Sequence, residues 1–257
     1  MVRGLYTGWT GMATEQKRLD VIANNLANAA TVGYKKEGVT TQSFDEALAI
    51  KIKDKSEPLQ ERKIGKMSLG VKIGEVYTDY GTGSLRETNN PFDLALDGKG
   101  FFQVAVTDRY GDTHIRYTRA GGFHMTSDGY IVDAQGNHLQ SESGDLIVPT
   151  DAGEISIDDK GNVFADNERI DRIIAYDFED YDYLKKHGET MYEPVDGAQR
   201  FEAEGFIRQG WAEQSNVNVV SEMINMISIT RAYEANQKII KSIDQTLDLA
   251  TNSVGRV

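Results

Sequence analysis

The chain has 257 residues, of which 39% are apolar, and a formal charge of −12; that length can bury one sizeable core, or a medium core with appended helices. The absence of cysteine removes disulfides, thiolate metal ligands and cysteine nucleophiles, and no run approaches the roughly 18 consecutive apolar residues of a membrane span. Subtracting the +3 of residues 1–36 and the zero of residues 217–257 leaves −15 between them, the wrong sign for a phosphate-binding surface, so nucleic acid is not expected as a partner.

The first residues, Met1-Val-Arg-Gly-Leu-Tyr-Thr-Gly-Trp9, do not show the basic stretch and apolar run of a cleavable secretory signal. Leu5, Met12, Leu19 and Leu26 fall seven apart, with Trp9, Ile22 and Ala23 beside them and Glu15, Lys17, Arg18 and Asp20 mostly elsewhere. This spacing predicts a helix with a heptad seam within residues 1–40. Gly4, Gly8 and Gly11 share one face of it. Each costs a helix interior about 1 kcal/mol relative to alanine, roughly 3 kcal/mol in all, yet permits another helix to come close. Residues 1–30 are therefore expected to be poorly ordered in a free monomer and to become helical where neighbours supply packing. Asn24, Asn25 and Asn28 crowd the end of this helix, although asparagine is a mediocre helix former whose amide bonds nearby backbone or an adjacent subunit. Asn28 and Gly33 suit a helix C-terminus, Gly33 at positive φ; Asn24 and Asn25 call for another role.

Residues 41–74, with the charged run Lys51-Ile-Lys-Asp-Lys55 and Pro58, read as an amphipathic continuation and then a connector. From 75 to 205 the period becomes two. Phe92-Asp-Leu-Ala-Leu96, Phe102-Gln-Val-Ala-Val106, Tyr130-Ile-Val132 and Ile155-Ser-Ile157 alternate, separated by turns at Asp97-Gly-Lys-Gly100, Ser127-Asp-Gly129 and Lys160-Gly-Asn162, which predicts a central, mainly antiparallel β domain of sandwich or barrel-like form. Residues 206–257 supply a linker and a C-terminal helix. In it Val219, Met226, Tyr233, Ile240 and Leu247 fall seven apart, and Ile229, Ile243 and Ala250 widen the stripe. Each seam needs a partner helix, and the simplest is the other terminal helix. The predicted class is α+β, with the two ends paired as a coiled-coil-like helical domain; two helices capping the β core is the other arrangement that the pattern permits.

Signatures of chemistry are weak. Gly98-Lys-Gly100 lacks the third glycine and following helix of a dinucleotide fingerprint, and Gly65-Lys-Met-Ser68 lacks the leading glycine of a phosphate loop. His114, His124, His138 and His187 show no metal-binding spacing. Asp158-Asp-Lys-Gly-Asn162 misses the calcium-loop frame and reads as a turn. No catalytic residue, cofactor or metal is expected.

The run from Asp20 to Lys35, with Asn24-Asn-Leu-Ala-Asn28 followed by Thr31-Val-Gly-Tyr-Lys35, resembles the N-terminal signature of the flagellar basal-body rod and hook protein family. Glu222-Met-Ile-Asn-Met-Ile227 with Arg231-Ala-Tyr-Glu-Ala-Asn236 is similar to that family's C-terminal signature. Between them Gly83-Ser-Leu85, the stretch Asn90 to Val104 and Tyr117-Thr-Arg-Ala-Gly121 resemble the middle domain of the distal-rod type, while Phe44 to Gly74 departs from it.

The resemblance implies a non-enzymatic structural subunit of the basal-body rod, exported by the flagellar type III apparatus without a cleaved signal and lying outside the cytoplasm. It also implies a helical homo-oligomer that meets other rod and hook proteins, with the terminal helices lining an inner tube and the β domain outside. Leu19, Ile22, Leu26, Met226, Tyr233 and Ile240 are the expected apolar interface residues. Asn24, Asn25, Asn28 and Asn236 are the expected polar ones, with Gly33 at the turn. A secreted β-domain adhesin or tail-like binding protein that uses the terminal helices only to oligomerise is the alternative, and would need an exposed aromatic or apolar groove on the β domain. A glycosidase would need two carboxylates about 5 to 9.5 Å apart in one cleft.

Overall fold

Two long helices bracket a succession of short strands in the computed structural model, which describes residues 2–44, 47–50, 63–68 and 70–254. The first, α1 (Val2–Ala27), carries no charged residue from Gly4 to Thr14. It gives way to turns in which the Thr31 N–H bonds the Asn28 carbonyl at 3.1 Å and Gly33 takes φ 69°, a conformation glycine adopts at little cost. The second, α2 (Val219–Leu249), starts at Asn218, whose side chain accepts the Ser221 N–H at 3.0 Å, with Glu222 in the first turn; both features stabilise a helix N-terminus. No described helix is long and apolar enough to cross a membrane.

The chain divides into two units. One is made of Met1–Leu26, Glu37–Asp79 and Asn218–Val257, the other of Ala27–Lys36 and Tyr80–Val217. The second unit is a β body whose described strand pairs are antiparallel. Its spine is the strand Phe101–Thr107, which pairs with Thr113–Thr118, His138–Ser141 and Ala175–Phe178. Successive side chains of a strand point to opposite faces, and here both faces are apolar. Phe102 and Val104 join Leu94, Leu139, Leu146 and Ile173 in one buried cluster, while Phe101 joins Tyr117, Phe178, Leu184 and Tyr192 in another. At the margin of the second cluster the Tyr181 hydroxyl donates to Asp177 at 2.7 Å. Burial and then that bond push the Tyr181 phenol above its ordinary range.

The expected turns are present, and Asp158 shows how one is held. Its carboxylate accepts the Lys160 N–H at 3.0 Å, the Asn162 N–H at 2.8 Å and the Asn162 side-chain amide at 2.7 Å. The β body reaches further along the chain than the alternating strands suggest. Phe206–Gln209 pairs with Leu94–Asp97, and Trp211–Glu213 with Leu85–Glu87. Neither 206–209 nor 211–213 alternates apolar with polar residues, since Phe206 and Ile207 are adjacent, as are Trp211 and Ala212.

In the first unit Glu37–Ser43 and Val71–Thr78 form a two-stranded antiparallel ribbon, and Ala47–Ile50 pairs with Lys63–Met67. The expected connector 41–74 therefore contains strands. Its charged run Lys51 to Lys55 and Pro58 lie outside the described residues.

Candidate functional site

In the first unit the glycine face of α1 looks onto α2. A β-carbon on Gly4, Gly8 or Gly11 would lie 3.0 Å from Ile243 Cδ1, 3.1 Å from Ile240 Cγ1 and 3.0 Å from Asn236 Nδ2, respectively. As the residue number rises along α1 it falls along α2, so the helices run antiparallel here. A side chain at these glycines would crowd the approach. Further along, Glu15, Gln16 and Leu19 of α1 line a notch of about 220 Å³ with Ile229, Thr230 and Tyr233 of α2. On α2, Glu222, Met226, Ile229, Tyr233, Asn236, Ile240, Ile243 and Leu247 are buried or half-buried and fall alternately four and three apart. Their neighbours Val220, Met223, Ile224 and Ile227 are exposed.

Asn25 sits where α1 meets the ribbon. Its amide nitrogen donates to the Glu37 carbonyl at 2.8 Å and its amide oxygen accepts the Glu37 N–H at 2.9 Å, with 0% of the residue exposed. One side chain thus replaces a missing strand partner at the start of the ribbon, a task that needs a donor and an acceptor on one planar group.

The second unit holds a buried ionic junction where the chain comes in from α1 and leaves for α2. The Glu213 carboxylate accepts hydrogen bonds from Lys35 Nζ at 2.7 Å, Arg119 Nη1 at 3.1 Å and the Gly83 N–H at 2.8 Å. Lys35 also donates to the Gly81 carbonyl at 2.8 Å and Arg119 to that of Gly98 at 2.7 Å. The Gly33 N–H donates to the Glu213 carbonyl at 2.8 Å, and the Lys36 N–H to Asn216 Oδ1 at 2.7 Å. Lys35, Arg119 and Glu213 are 1%, 4% and 1% exposed, a depth at which charges persist only when paired and hydrogen-bonded. Gly33 is crowded as well as left-handed, since a β-carbon there would lie 2.3 Å from the Ala120 nitrogen.

The residues expected at an interface therefore divide. Leu19, Ile22, Leu26, Met226, Tyr233, Asn236 and Ile240 are half-buried on the two helices, Leu19 and Tyr233 meeting at the notch, and Asn24 is exposed. Asn25 is occupied by the ribbon, while Asn28 and Gly33 lie in the other unit, Asn28 donating to Glu189 at 2.6 Å. Sequence reasoning missed Lys35, Arg119 and Glu213. No local spacing marks them as a set: Lys35 and Arg119 each stand two residues from a glycine, Gly33 and Gly121, but Glu213 lies far along the chain from both. The β body also bears an open groove of about 180 Å³ beside Asp159, Lys160, Arg172, Glu202 and Glu204, where Arg172 binds Glu202.

Comparison with known proteins gives three matches in chain order. Residues 5–35 match the family described as flagella basal body rod protein, 95–165 the flagellar hook protein FlgE/F/G D1 domain, and 208–253 the flagellar basal body rod FlgEFG protein C-terminal region. The chain is 32% identical to the flagellar basal-body rod protein FlgG of Bacillus subtilis, over 98% of this chain and 99% of that one. It is 30% identical to FlgG of Agrobacterium fabrum, over 98% and 100% of the two chains. To the flagellar hook-basal body complex protein FlhO of Bacillus subtilis it is 31% identical, over the whole of both.

Proposed function

The chain belongs to the flagellar basal-body rod protein family and is a structural subunit of the rod, and we propose that it acts mechanically, through its terminal helices, with no catalytic step. In this reading α1 and α2 pair as an antiparallel coiled-coil-like strut. Struts of successive copies, and of the other rod and hook proteins, pack side by side into the wall of the basal body's shaft. The β body takes no part in chemistry.

The observation that carries the reading is a coincidence of place. The two terminal family matches, 5–35 and 208–253, fall on the two helices that approach each other along Gly4, Gly8 and Gly11. The spacing of the covered residues of α2, four and three in alternation, supports heptad packing. Leu19, Ile22, Leu26, Met226, Tyr233 and Ile240 then serve helix against helix. Asn24, Asn28 and Asn236 offer polar contacts, while Asn25 and Gly33 hold the chain's own form. Ile229 is the one apolar side chain of that unit buried below a tenth among the described residues, so unfolding it for passage through the flagellar export apparatus costs little.

Electron microscopy of basal bodies from a strain lacking the chain tests the reading. Basal bodies that stop within the rod, in non-motile cells, are expected; complete basal bodies would overturn it.

A further inference from the structure

Each terminal helix carries an apolar patch turned away from the other helix. On α1 Tyr6 and Trp9 are 63% and 59% exposed; on α2 Val220, Met223, Ile224 and Ile227 are 68%, 48%, 62% and 55% exposed. Tyr6 and Trp9 are three apart, and the α2 residues follow the i, i+3, i+4, i+7 spacing of one helix face. Tyr6 and Trp9 lie in the charge-free run 4–14, and Met223, Ile224 and Ile227 in the charge-free run 223–230, with Val220 just before the buried Glu222. On α2 the same outward face turns charged beyond the patch, at Arg231, Glu234 and Lys238. These are bounded patches, not stretches of an apolar helix.

The two cannot meet within one chain. Gly8 lies beside Ile240, so Trp9 stands near the level of residue 239 on α2, about 22 Å from Ile224 at 1.5 Å per residue, and the two patches face opposite ways. Tyr6, Trp9 and the Ala13 that follows them on the same face span about two turns, as Val220 to Ile227 do, and the two faces lie at opposite positions along the pair. A second copy, kept in the same orientation and displaced along the helices by about 22 Å, would lay its Tyr6 and Trp9 antiparallel on the first copy's Ile227 and Ile224. The residue left to face Val220 is then Ala13, whose small side chain suits that position. A contact between different surfaces of identical chains repeats without closing, which is the geometry of an open polymer.

We infer that Tyr6 and Trp9 of one copy dock on the Val220–Ile227 face of the next, staggered along the helix axis; this rests on the reading of the chain as a rod subunit. The area argues for an array over a free dimer. Two aromatics bury roughly 300 Å² or more on their side, short of the roughly 800 Å² per partner of a stable pair. The contact holds only where each copy makes several at once.

The chain has no cysteine, so introduced thiols report cleanly. Basal bodies are isolated from cells whose only copy is Trp9→Cys with Ile224→Cys, oxidised, and run without reductant. A ladder at multiples of the chain mass is expected, lost with either single variant and with Trp9→Cys plus Lys238→Cys. Tyr6→Cys with Ile227→Cys reads the same register, should the first pair fail to assemble. If both pairs yield rods without a ladder, or a product containing a different protein, the inference falls while the rod reading stands. Failure of both pairs to enter basal bodies that admit Trp9→Cys and Ile224→Cys singly also counts against it. Absence of the wild-type chain from basal bodies overturns the rod reading itself.

Discussion

The β body and the helical unit solve opposite problems with the same chain. The β body buries two clusters on either side of the strand Phe101–Thr107 and ties its junction with Lys35, Arg119 and Glu213. The helical unit has long helices, a two-stranded ribbon and, among the described residues, one apolar side chain below a tenth exposed, Ile229. An isolated two-stranded ribbon is marginal in water, and so is a helix weakened by three glycines. A unit that covers itself is complete as a monomer. One that leaves Tyr6, Trp9, Val220, Ile224 and Ile227 in solvent has apolar helix surface still to cover, which the proposed packing of copies would do.

The sharpest way to break this contrast is at Glu213, because the β body should fail without the helices being touched. Glu213→Gln keeps the size but leaves the cations of Lys35 and Arg119 buried without their counter-charge, a loss of about 3–5 kcal/mol. The two tryptophans, Trp9 and Trp211, fall one in each unit, so in a Trp9→Phe background urea unfolding followed by fluorescence reports the β body alone. Its midpoint should fall steeply in Glu213→Gln, and adding Lys35→Met should recover part of the loss. An unchanged midpoint would show that the junction does not hold the body together.

The reverse cut is smaller. Asn25→Ala removes both bonds to the Glu37 backbone and should cost about 1–3 kcal/mol, confined to the helical unit. Faster hydrogen exchange is expected at the end of α1 and in Glu37–Ser43, with the Trp211 urea midpoint unmoved. A shift in that midpoint would mean that the two units unfold as one.

These two predictions mark what the sequence made legible. Heptad spacing located both helices, because a helix writes its buried side every three or four residues, and matched the covered face of α2 from Met226 to Leu247, though not at Val219 and Ala250, which are exposed. The β class was legible from Phe102–Val106 and Ile155–Ile157, with the glycine turns between strands. The strands at 206–209 and 211–213 were not, because Phe206-Ile207 and Trp211-Ala212 put apolar residues side by side without alternation. Nor was the junction, since Lys35 and Glu213 are 178 residues apart and a buried ion pair leaves no local pattern. Asn25 stands out in the sequence as an unusual residue for a helix, but that its amide holds the chain's own Glu37, twelve residues on, is revealed only by the path of the chain after α1.

A subtler test changes sign between the free and the assembled chain. Gly8→Ala should raise the helix content of the purified chain by circular dichroism, since alanine stabilises a helix interior by about 1 kcal/mol over glycine. The same β-carbon would stand 3.1 Å from Ile240 Cγ1, so incorporation into basal bodies should fall. Gains in both would mean that the glycines do not serve close approach.

The smallest effect is expected at a turn of the β body. Burial pushes the Asp158 carboxyl up, but the Asn162 side chain and the Asn162 and Lys160 N–H groups bond it, and the balance lies below its ordinary 3.8. A carboxyl lowered by folding adds stability that is present above its unfolded value and lost as pH falls through the folded one. Asp158 therefore contributes nothing to pH dependence between 5 and 8, and its share disappears only below about 3.8. Asp158→Asn should lower the Trp211 urea midpoint slightly at pH 7 and leave it at the wild-type value once the acid limb is passed. A variant that loses as much at low pH as at neutral pH would assign the turn's stability to shape and not to the charge that its amides face.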